Sequence, residues 1–511
     1  MQMELIKKPL RSYRTIEIRE TEEMLENSII VPDSKPDIKN IILADAECFV
    51  TNVEKSGRMI EVSGETRYRI LYCADTPEQK IESIVTQFPW SFSLQKPKTE
   101  EDVGVFARSY CQHTDASIVN GRKITARTVC SIISRFYEIR SDEIGREILG
   151  ENVYLKTTPV NIISLKDNGD IMAKVSNVLS LPHGSPAIKE ILFSRINVGS
   201  TELTYNEDEP AIEAKGTAYI LYRSDTIDES IESAVLEFPI KTVTGIVTVP
   251  NEIVLATSVL KHWELDPVED ADGLLTQVAV NLEFQVDAQA LVPEEQIVIE
   301  DAYSTDYRLD LKKSKINVAT DEREISESLE LKQKIKIEDP DNQIAEVLLV
   351  CAGERSMTSK LDEKGISSQG TLGANIIYTT QSGEMKSYFI ELSFSQNVDL
   401  PGEGQWQLVQ SFFNINDVEF DISGPDTVEL KINITSRFRV ARYDEIICTE
   451  ALTAVKEESS KKAPIILYFT HPGDTMWSVA KRYRIPLSRL ALDNGLDASQ
   501  NLQVGQKLFI L

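Results

Sequence analysis

The chain has 511 residues, of which 41% are hydrophobic, and its 81 acidic and 54 basic residues give a formal net charge of -27. This length predicts about three or four globular domains, each with enough apolar residues for a core. So acidic a chain lacks the basic face that general binding to nucleic acid or to an anionic membrane requires. The acidity either keeps a large protein soluble or attracts a basic partner.

The amino terminus and the cysteines indicate a soluble, cytosolic protein without membrane insertion. Residues 1–8 contain no apolar run of signal-peptide length, and no apolar stretch of 18 residues follows anywhere. The cysteines form neither a Cys-x-x-Cys pair nor a closely spaced disulfide framework; they are Cys48, Cys73, Cys111, Cys130, Cys351 and Cys448. We expect them to be scattered buried thiols.

An internal repeat extends through residues 1–452. The motif Pro36–Leu43 returns as Pro186–Phe193 and more faintly as Asn342–Leu349, at intervals of 150 (186 - 36) and 156 (342 - 186) residues. Each copy then has a tyrosine followed 16 residues later by a phenylalanine: Tyr72 and Phe88, Tyr222 and Phe238, Tyr378 and Phe394. The interval is too long for a solenoid, so it indicates sibling domains.

The late part of each copy has the pattern of a β-strand. Residues 428–440 alternate apolar and polar side chains, which is the period of a strand that is buried on one face. Residues 278–286 repeat this pattern, and residues 124–139 follow it less cleanly. Other such runs are separated by Gly, Asn, Asp and Pro, as in antiparallel sheets. We therefore predict a mainly β protein with three sibling antiparallel domains at residues 1–150, 151–302 and 303–452.

Residues 453–465 read as a linker. From Lys456 to Pro464 this stretch is short and charged and contains no large apolar residue. We expect a flexible tether that lets the last segment sample a partner while the β domains are held elsewhere.

Residues 466–511 predict a small βααβ domain. Asp474 and Thr475 can cap a helix, Pro486 can open a second one, and Asn494-Gly495 can end it. The segment has five basic and three acidic residues, a net charge of +2 (5 - 3), unlike the acidic remainder. It has no cysteine, so its packed core must hold it together.

This segment resembles a LysM domain, because the Gly473-Asp474-Thr475 loop, the apolar helix with Trp477 and the closing Val504-Gly505-Gln506-Lys507-Leu508 strand all match. The resemblance implies binding of N-acetylglucosamine-containing glycans such as peptidoglycan or chitin in a shallow groove between two loops. We expect the groove positions to bind either a protein partner or a glycan; they are Gly473, Asp474, Thr475, Met476, Asn494, Gly495, Leu496 and Asp497. We expect Trp477 to pack in the domain core rather than to stack on a sugar.

The string from Val31 to Ile38, continued by Tyr68 to Tyr72 and repeated before a LysM segment, resembles the SPOCS family of spore-coat proteins. The resemblance implies a coat scaffold in the mother-cell cytosol that helps the coat encase the forespore. Its implied partners are the coat-basement ATPase of the spore surface and other coat proteins, with the LysM segment docking on protein. The alternative is a wall protein that binds glycans.

The sequence shows no pattern of an enzyme. The four histidines are isolated, and no phosphate-binding glycine loop or nucleophile elbow occurs. The acidic cluster Glu269–Asp272 lacks the spacing of a calcium loop and reads as a solvated turn. We expect no catalytic residue, no metal and no cofactor.

Overall fold

The computed structural model of the chain describes residues 3–99, 103–206, 209–249, 252–337, 343–456 and 465–511. Residue 342 of the third repeat motif and residues 457–464 of the predicted linker lie outside these ranges. Within the described residues the chain is mainly β, and its two short helices lie near the carboxyl terminus. The predicted fold class is confirmed.

The first unit is a sandwich of two antiparallel three-stranded sheets. Its strands are β1 (Glu4–Ile30), β2 (Ile38–Ser56), β3 (Met59–Ala74), β4 (Ile81–Gln95), β5 (Val103–Asn120) and β6 (Lys123–Leu149). One sheet has the order β2-β3-β4 and the other β1-β6-β5. Apolar side chains from both sheets form one core, and the pairing of β1 with β6 joins the two ends of the unit.

The second and third units repeat this arrangement. The second has β7 (Val153–Ser180), β8 (Ile188–Val198), β9 (Glu202–Asn206), β10 (Glu209–Ser224), β11 (Ile231–Val243), β12 (Ile253–Val268) and β13 (Gln277–Ser304). The third has β14 (Tyr307–Lys336), β15 (Ile344–Asp362), β16 (Gly365–Thr380), β17 (Met385–Val398), β18 (Trp406–Gly424) and β19 (Thr427–Lys456). Their sheets are β11-β10-β8 and β12-β13-β7, then β15-β16-β17 and β14-β19-β18, with β9 beside β10.

The repeated tyrosines lie at the same place in the three units. Each is on the central strand of its meander and is buried; their exposed fractions are 0% for Tyr72, 1% for Tyr222 and 2% for Tyr378. The hydroxyl groups of Tyr72 and Tyr222 donate hydrogen bonds to the carbonyl groups of Pro36 and Pro186, at 3.0 and 3.2 Å. The tyrosine thus fixes the start of the repeated motif to the middle of the sheet.

The 16-residue step to phenylalanine does not join the same register in every unit. Phe88 lies opposite Thr66 and Phe238 opposite Gly216, each partner six residues before its tyrosine, whereas Phe394 lies opposite Gly370, eight residues before Tyr378. Tyr72 pairs with Glu82 and Tyr222 with Glu232, but Tyr378 pairs with Lys386, so the third hairpin is two residues shorter. A shift of two residues keeps the ring on the same face of the sheet.

An aromatic ring covers a glycine of the central strand in each unit. The cross-strand pairs are Gly64 with Trp90, Gly216 with Phe238, and Gly370 with Phe394. A Cβ atom on these glycines would stand 2.1, 2.5 and 2.3 Å from the respective ring. The glycine is needed because the ring occupies the space where a side chain would begin.

The three units pack in a closed ring. β4 contacts β8, β11 contacts β15, and β17 contacts β2, so the last strand of each three-stranded meander meets the first meander strand of the next unit. In the same order around the ring, the first meander strand of each unit contacts a strand of the second sheet of the next unit: β2 contacts β12, β8 contacts β18 and β15 contacts β5. We call this the cyclic contact rule. Equivalent residues from all units meet in one apolar cluster; among them are Leu43, Phe193, Leu349, Leu71, Leu221 and Ile377. The ring therefore has approximate threefold symmetry.

Largely buried ion pairs cross the junctions of the ring. Arg108 makes two hydrogen bonds to Glu354, at 2.7 and 3.0 Å, and Arg195 contacts Asp45 at 3.0 Å. Burial raises the pKa of Asp45, but Arg195 and Arg69 outweigh this effect and hold the pKa below its usual value. A central cavity of about 250 Å³ is lined by matching segments of all units: 46–49, 195–198 and 352–355.

The strand β19 corrects one expectation. Its apolar residues, such as Val428 and Ile432, are 0% exposed, as the alternation predicted. However, the polar face is also buried near the end of the pattern, where Arg437 is 7% and Arg439 is 5% exposed. Arg437 pairs with Glu324, and Arg439 pairs with Glu322 and also contacts Gln289 of the second unit. The ring buries this face, so it is not a solvated one.

Candidate functional site

The last described segment forms the predicted βααβ domain. Its elements are β20 (Ile466–Phe469), α1 (Met476–Tyr483), α2 (Leu487–Asn494) and β21 (Lys507–Ile510), and β20 pairs antiparallel with β21. Thr475 caps α1 in a capping box with Ser478, and Gly495 ends α2 with a φ of 62°. Val479, Leu490 and Leu508 form its core, each at 0% exposure.

Asp474 organises the first groove loop. Its carboxylate accepts hydrogen bonds from the backbone N–H of His471, at 2.8 Å, and from the hydroxyl group of Tyr468. These two bonds lower the pKa of Asp474, and the nearby Arg482 adds to the effect. Only 7% of the side chain is exposed. Asp474 therefore holds the loop in shape and offers little surface to a ligand.

The other residues of the first loop differ in what they expose. Gly473 is exposed at a φ of 88° with open space beside its Cα atom, and Thr475 is exposed although its hydroxyl group caps α1. Met476 is 1% exposed, so its side chain is part of the core. A ligand at this position would reach the backbone of Met476 and not its side chain.

In the second groove loop, Asn494 connects α2 to the last strand. Its side-chain amide donates to the carbonyl group of Phe509 at 2.7 Å and accepts from the N–H of the same residue at 2.6 Å. Asp497 accepts hydrogen bonds from the N–H and hydroxyl groups of Ser499. Leu496 is half-buried and lies in the same apolar cluster as Met476, so both groove loops rest on one core. Of the predicted groove positions, the most accessible are Gly473, Thr475, Gly495, Leu496 and Asp497.

Trp477 makes a contact that the sequence did not indicate. Its ring meets Tyr303 of β13 edge-on, with ring centres 5.0 Å apart, and its indole N–H donates to Asp301 at 2.9 Å. Trp477 is half-buried in the cluster that contains both the domain core and Tyr303, so it packs as predicted. Part of this packing is against the second unit, which the sequence did not indicate.

Further contacts seat the domain on the end of the second unit. Lys481 pairs with Asp301 at 2.5 Å, and the hydroxyl group of Tyr303 donates to the carbonyl group of Ile485 at 2.9 Å. Tyr154 of β7 stacks on Tyr303. Burial raises the pKa of Asp301, yet the bonds from Lys481 and Trp477 outweigh it and lower the pKa, while burial raises the pKa of Tyr303 to about 12.

This seat changes the interpretation of the predicted linker. Residues 453–456 continue β19 rather than starting a tether, and residues 457–464 lie outside the described ranges. The contacts through Asp301 and Tyr303 hold the small domain against the second unit, which does not fit a freely sampling module. Sequence reasoning missed both residues because nothing in a β-strand pattern marks a docking partner 176 residues away.

The fold is that of a multi-unit β protein that carries a small βααβ domain at its carboxyl-terminal end. Residues 37–119, which run from β2 to β5, match the family model described as the SPOCS domain of SipL. Residues 471–511 match the model of the LysM domain. The chain thus combines a SPOCS domain with a LysM domain, and the resemblance to SipL-like proteins is confirmed. A search of curated proteins and one of solved structures found no match.

The two matched domains bear on function class. Both are non-catalytic binding or scaffold domains, and SPOCS relates the chain to sporulation, while LysM suggests glycan binding. Neither helix in the described part of the chain is long and apolar enough to cross a membrane. Across the same ranges, no three His, Cys, Asp or Glu side chains gather as metal ligands would, and all six cysteines are buried thiols.

Proposed function

We propose that the chain is a non-enzymatic scaffold of spore-coat morphogenesis that helps the coat encase the forespore. The observation that carries the proposal is the seating of the LysM domain on a closed ring of three units through Trp477, Lys481 and Asp301. A ring with buried junctions presents fixed surfaces, and the seat gives the LysM domain a fixed direction on it. Such rigidity suits a protein that positions others.

The proposed partner of the LysM domain is the coat-basement ATPase of the spore surface, with the scaffold in the mother-cell cytosol beside other coat proteins. Residues 466–511 have a net charge of +2 and so differ from the acidic remainder of the chain, which supports a separate docking role for the LysM domain. ATP hydrolysis would come from the partner, since this chain has no phosphate-binding loop.

The test uses the full chain and a truncation that lacks residues 466–511. Each is used to capture proteins from sporulating cells, and binding of the purified ATPase is then measured directly. We expect the ATPase with the full chain and not with the truncation, which should still form the ring by small-angle scattering. Equal capture by both, or turnover of ATP by the purified chain alone, contradicts the proposal.

The alternative function is binding of a peptidoglycan-type or chitin-type glycan in the groove. It is favoured by the LysM match and by the exposure of Gly473, Gly495 and Asp497, none of which takes part in the contacts with the second unit described above. Tight binding of purified peptidoglycan by the full chain, lost in Leu496→Asp, would support this alternative.

A further inference from the structure

The outer face of the LysM hairpin carries an unusual set of exposed apolar side chains. Leu467 and Phe469 of β20 are 45% and 54% exposed, and Phe509 and Leu511 on and after β21 are 42% and 45% exposed. Leu467 and Phe509 are directly opposite each other. The four side chains expose roughly 300–400 Å² if a whole large side chain offers about 150–250 Å². The largest apolar patch of a typical monomeric protein has about this size and is often functional.

The strand alternation explains why no other part of the described chain covers this face. Tyr468, Leu508 and Ile510 point to the other side of the hairpin and are 8%, 0% and 5% exposed under the helices. The seat on the second unit uses α1 and the carbonyl group of Ile485, so it does not cover the hairpin. Among the described residues, the hairpin face is therefore the side of the docked domain that nothing covers.

One cation lies within this apolar face. The ammonium group of Lys507 stands 4.9 Å from the centre of the Phe509 ring, and no carboxylate of the described residues lies within salt-bridge distance of it. The other charged side chains of the domain include paired ones, such as Lys481 with Asp301 and Arg489 with Asp493. A partner that covers the face would satisfy Lys507 best with a carboxylate.

The backbone at the outer edge of β20 is also available. Asn494 takes both the N–H and the carbonyl group of Phe509, so these groups point away from β20. Because hydrogen-bonded and non-hydrogen-bonded pairs alternate in an antiparallel ladder, the N–H and carbonyl groups of Leu467 and Phe469 point to the opposite, outer edge. An extended segment can pair there, whereas Asn494 closes the edge of β21.

A second copy of the chain fits this face poorly. A stable dimer needs about 800 Å² from each partner, roughly twice the exposed area of the patch. Face-to-face association of two copies would also bring two uncompensated Lys507 side chains into one interface. These points favour a different protein as the occupant.

We propose that the hairpin face of Leu467, Phe469, Phe509 and Leu511 is where the LysM domain docks on protein, and that its occupant is an extended segment with apolar side chains and a carboxylate. The segment adds to the outer edge of β20, covers the two phenylalanines and pairs its carboxylate with Lys507. This inference rests on the proposed function, in which the LysM domain binds the coat-basement ATPase. It assigns protein docking to the hairpin and leaves the groove for a glycan.

The experiment measures binding of the purified ATPase to the full chain by biolayer interferometry. The double variant Phe469→Ser/Phe509→Ser should bind about tenfold more weakly or worse, as expected when apolar anchors are removed. Leu492→Ser is the matched control, since Leu492 on α2 is 81% exposed and outside the face. Lys507→Glu should also weaken binding, whereas Arg489→Glu on α2 should not.

A comparison of two variants of Leu467 tests whether the partner segment forms main-chain hydrogen bonds with β20. Leu467→Pro removes an N–H that points to the outer edge and leaves the ladder with β21 intact, so it should bind more weakly than Leu467→Ser. Circular dichroism and melting temperature should show that all variants remain folded. Equal binding by Leu467→Pro and Leu467→Ser overturns the strand addition.

The remaining outcomes separate this inference from the proposed function. If the wild-type chain binds the ATPase and the hairpin variants bind equally well while Leu496→Asp does not, the docking face is the groove and the inference fails alone. If the wild-type chain does not bind the ATPase, the proposed partner and the inference fail together. Loss of peptidoglycan binding, or of a concentration-dependent dimer, in the Phe469→Ser/Phe509→Ser variant assigns the face to a glycan or to a second copy.

Discussion

Trp477 donates a hydrogen bond from its indole nitrogen to the carboxylate of Asp301 at 2.9 Å, across 176 residues of chain. The same carboxylate pairs with Lys481, and Tyr303 closes the contact. This joint, formed by Trp477 and Lys481 with Asp301 and Tyr303, determines whether the LysM domain moves with the three-unit ring or independently of it. The first predictions concern this joint.

Asp301→Asn should release the LysM domain from the second unit without unfolding it. The substitution removes the charge that Lys481 pairs with, and charge-assisted hydrogen bonds of this kind contribute about 1.5–3 kcal/mol. Small-angle scattering should show a larger radius of gyration at an unchanged helix signal. Glu450→Gln, which breaks the exposed pair with Lys312, is the control and should leave the scattering unchanged. An unaltered radius for Asp301→Asn would mean that other contacts hold the domain.

The joint should also weaken in acid. The pKa of Asp301 is lowered in the docked state, so its stabilisation is complete above the undocked value, about 3.9 for an aspartate, and is lost as the pH falls through the lower docked value. We expect constant docking from neutral pH down to about 4 and a decline below it. Asp301→Asn has no carboxylate to titrate at this position, so plots of docking against pH for the wild-type chain and this variant should differ in that range. Parallel plots would mean that Asp301 is not the group that titrates.

Trp477→Ala and Leu490→Ala should have different effects. Leu490 is 0% exposed in the LysM core, and its truncation should cost about 2–5 kcal/mol and unfold so small a domain. Trp477 is half-buried against Tyr303, so its truncation should mainly undock a domain that remains folded. Hydrogen exchange of the α1 and α2 amides distinguishes the two results. Full exchange of both helices in Trp477→Ala would mean that the LysM domain needs Trp477 in order to fold.

Gly216→Ala should destabilise the second unit. A Cβ atom at this position would stand 2.5 Å from the Phe238 ring, and overpacking of this kind costs about 1–3 kcal/mol. Gly424→Ala is the matched control, because its Cβ atom would make an ordinary contact of 3.5 Å with Thr427. Urea unfolding of both variants measures the difference. Equal urea midpoints would show that the Phe238 side chain moves aside without loss of stability.

The sequence predicted the strands better than their packing. Alternation in residues 428–440 identified β19 and its apolar face because a strand repeats every two residues. The same pattern could not show that Arg437 and Arg439 are buried, since an arginine on a polar face reads as solvated until another unit covers it. Closure of the ring depends on contacts between distant residues such as Arg108 and Glu354, which no local period encodes.

The LysM segment shows a similar division. Its caps, turns and helix faces are local, so Thr475, Gly495 and the core residues could be assigned from spacing. Asp474 and Asn494 were predicted as groove residues, but their side chains largely hold the domain together through hydrogen bonds. The role of Trp477 depended on Asp301 and Tyr303, which the segment itself does not contain.

The cyclic contact rule has an evolutionary consequence. Because every unit carries both of the complementary surfaces, three separate copies of one ancestral unit could have closed the same ring as a homotrimer. Fusion of the genes makes that assembly independent of protein concentration and frees each copy to diverge. Arg69, Tyr219 and Asn375 occupy one equivalent position opposite Val85, Val235 and Phe389, so divergence has already given this position a different chemistry in each unit.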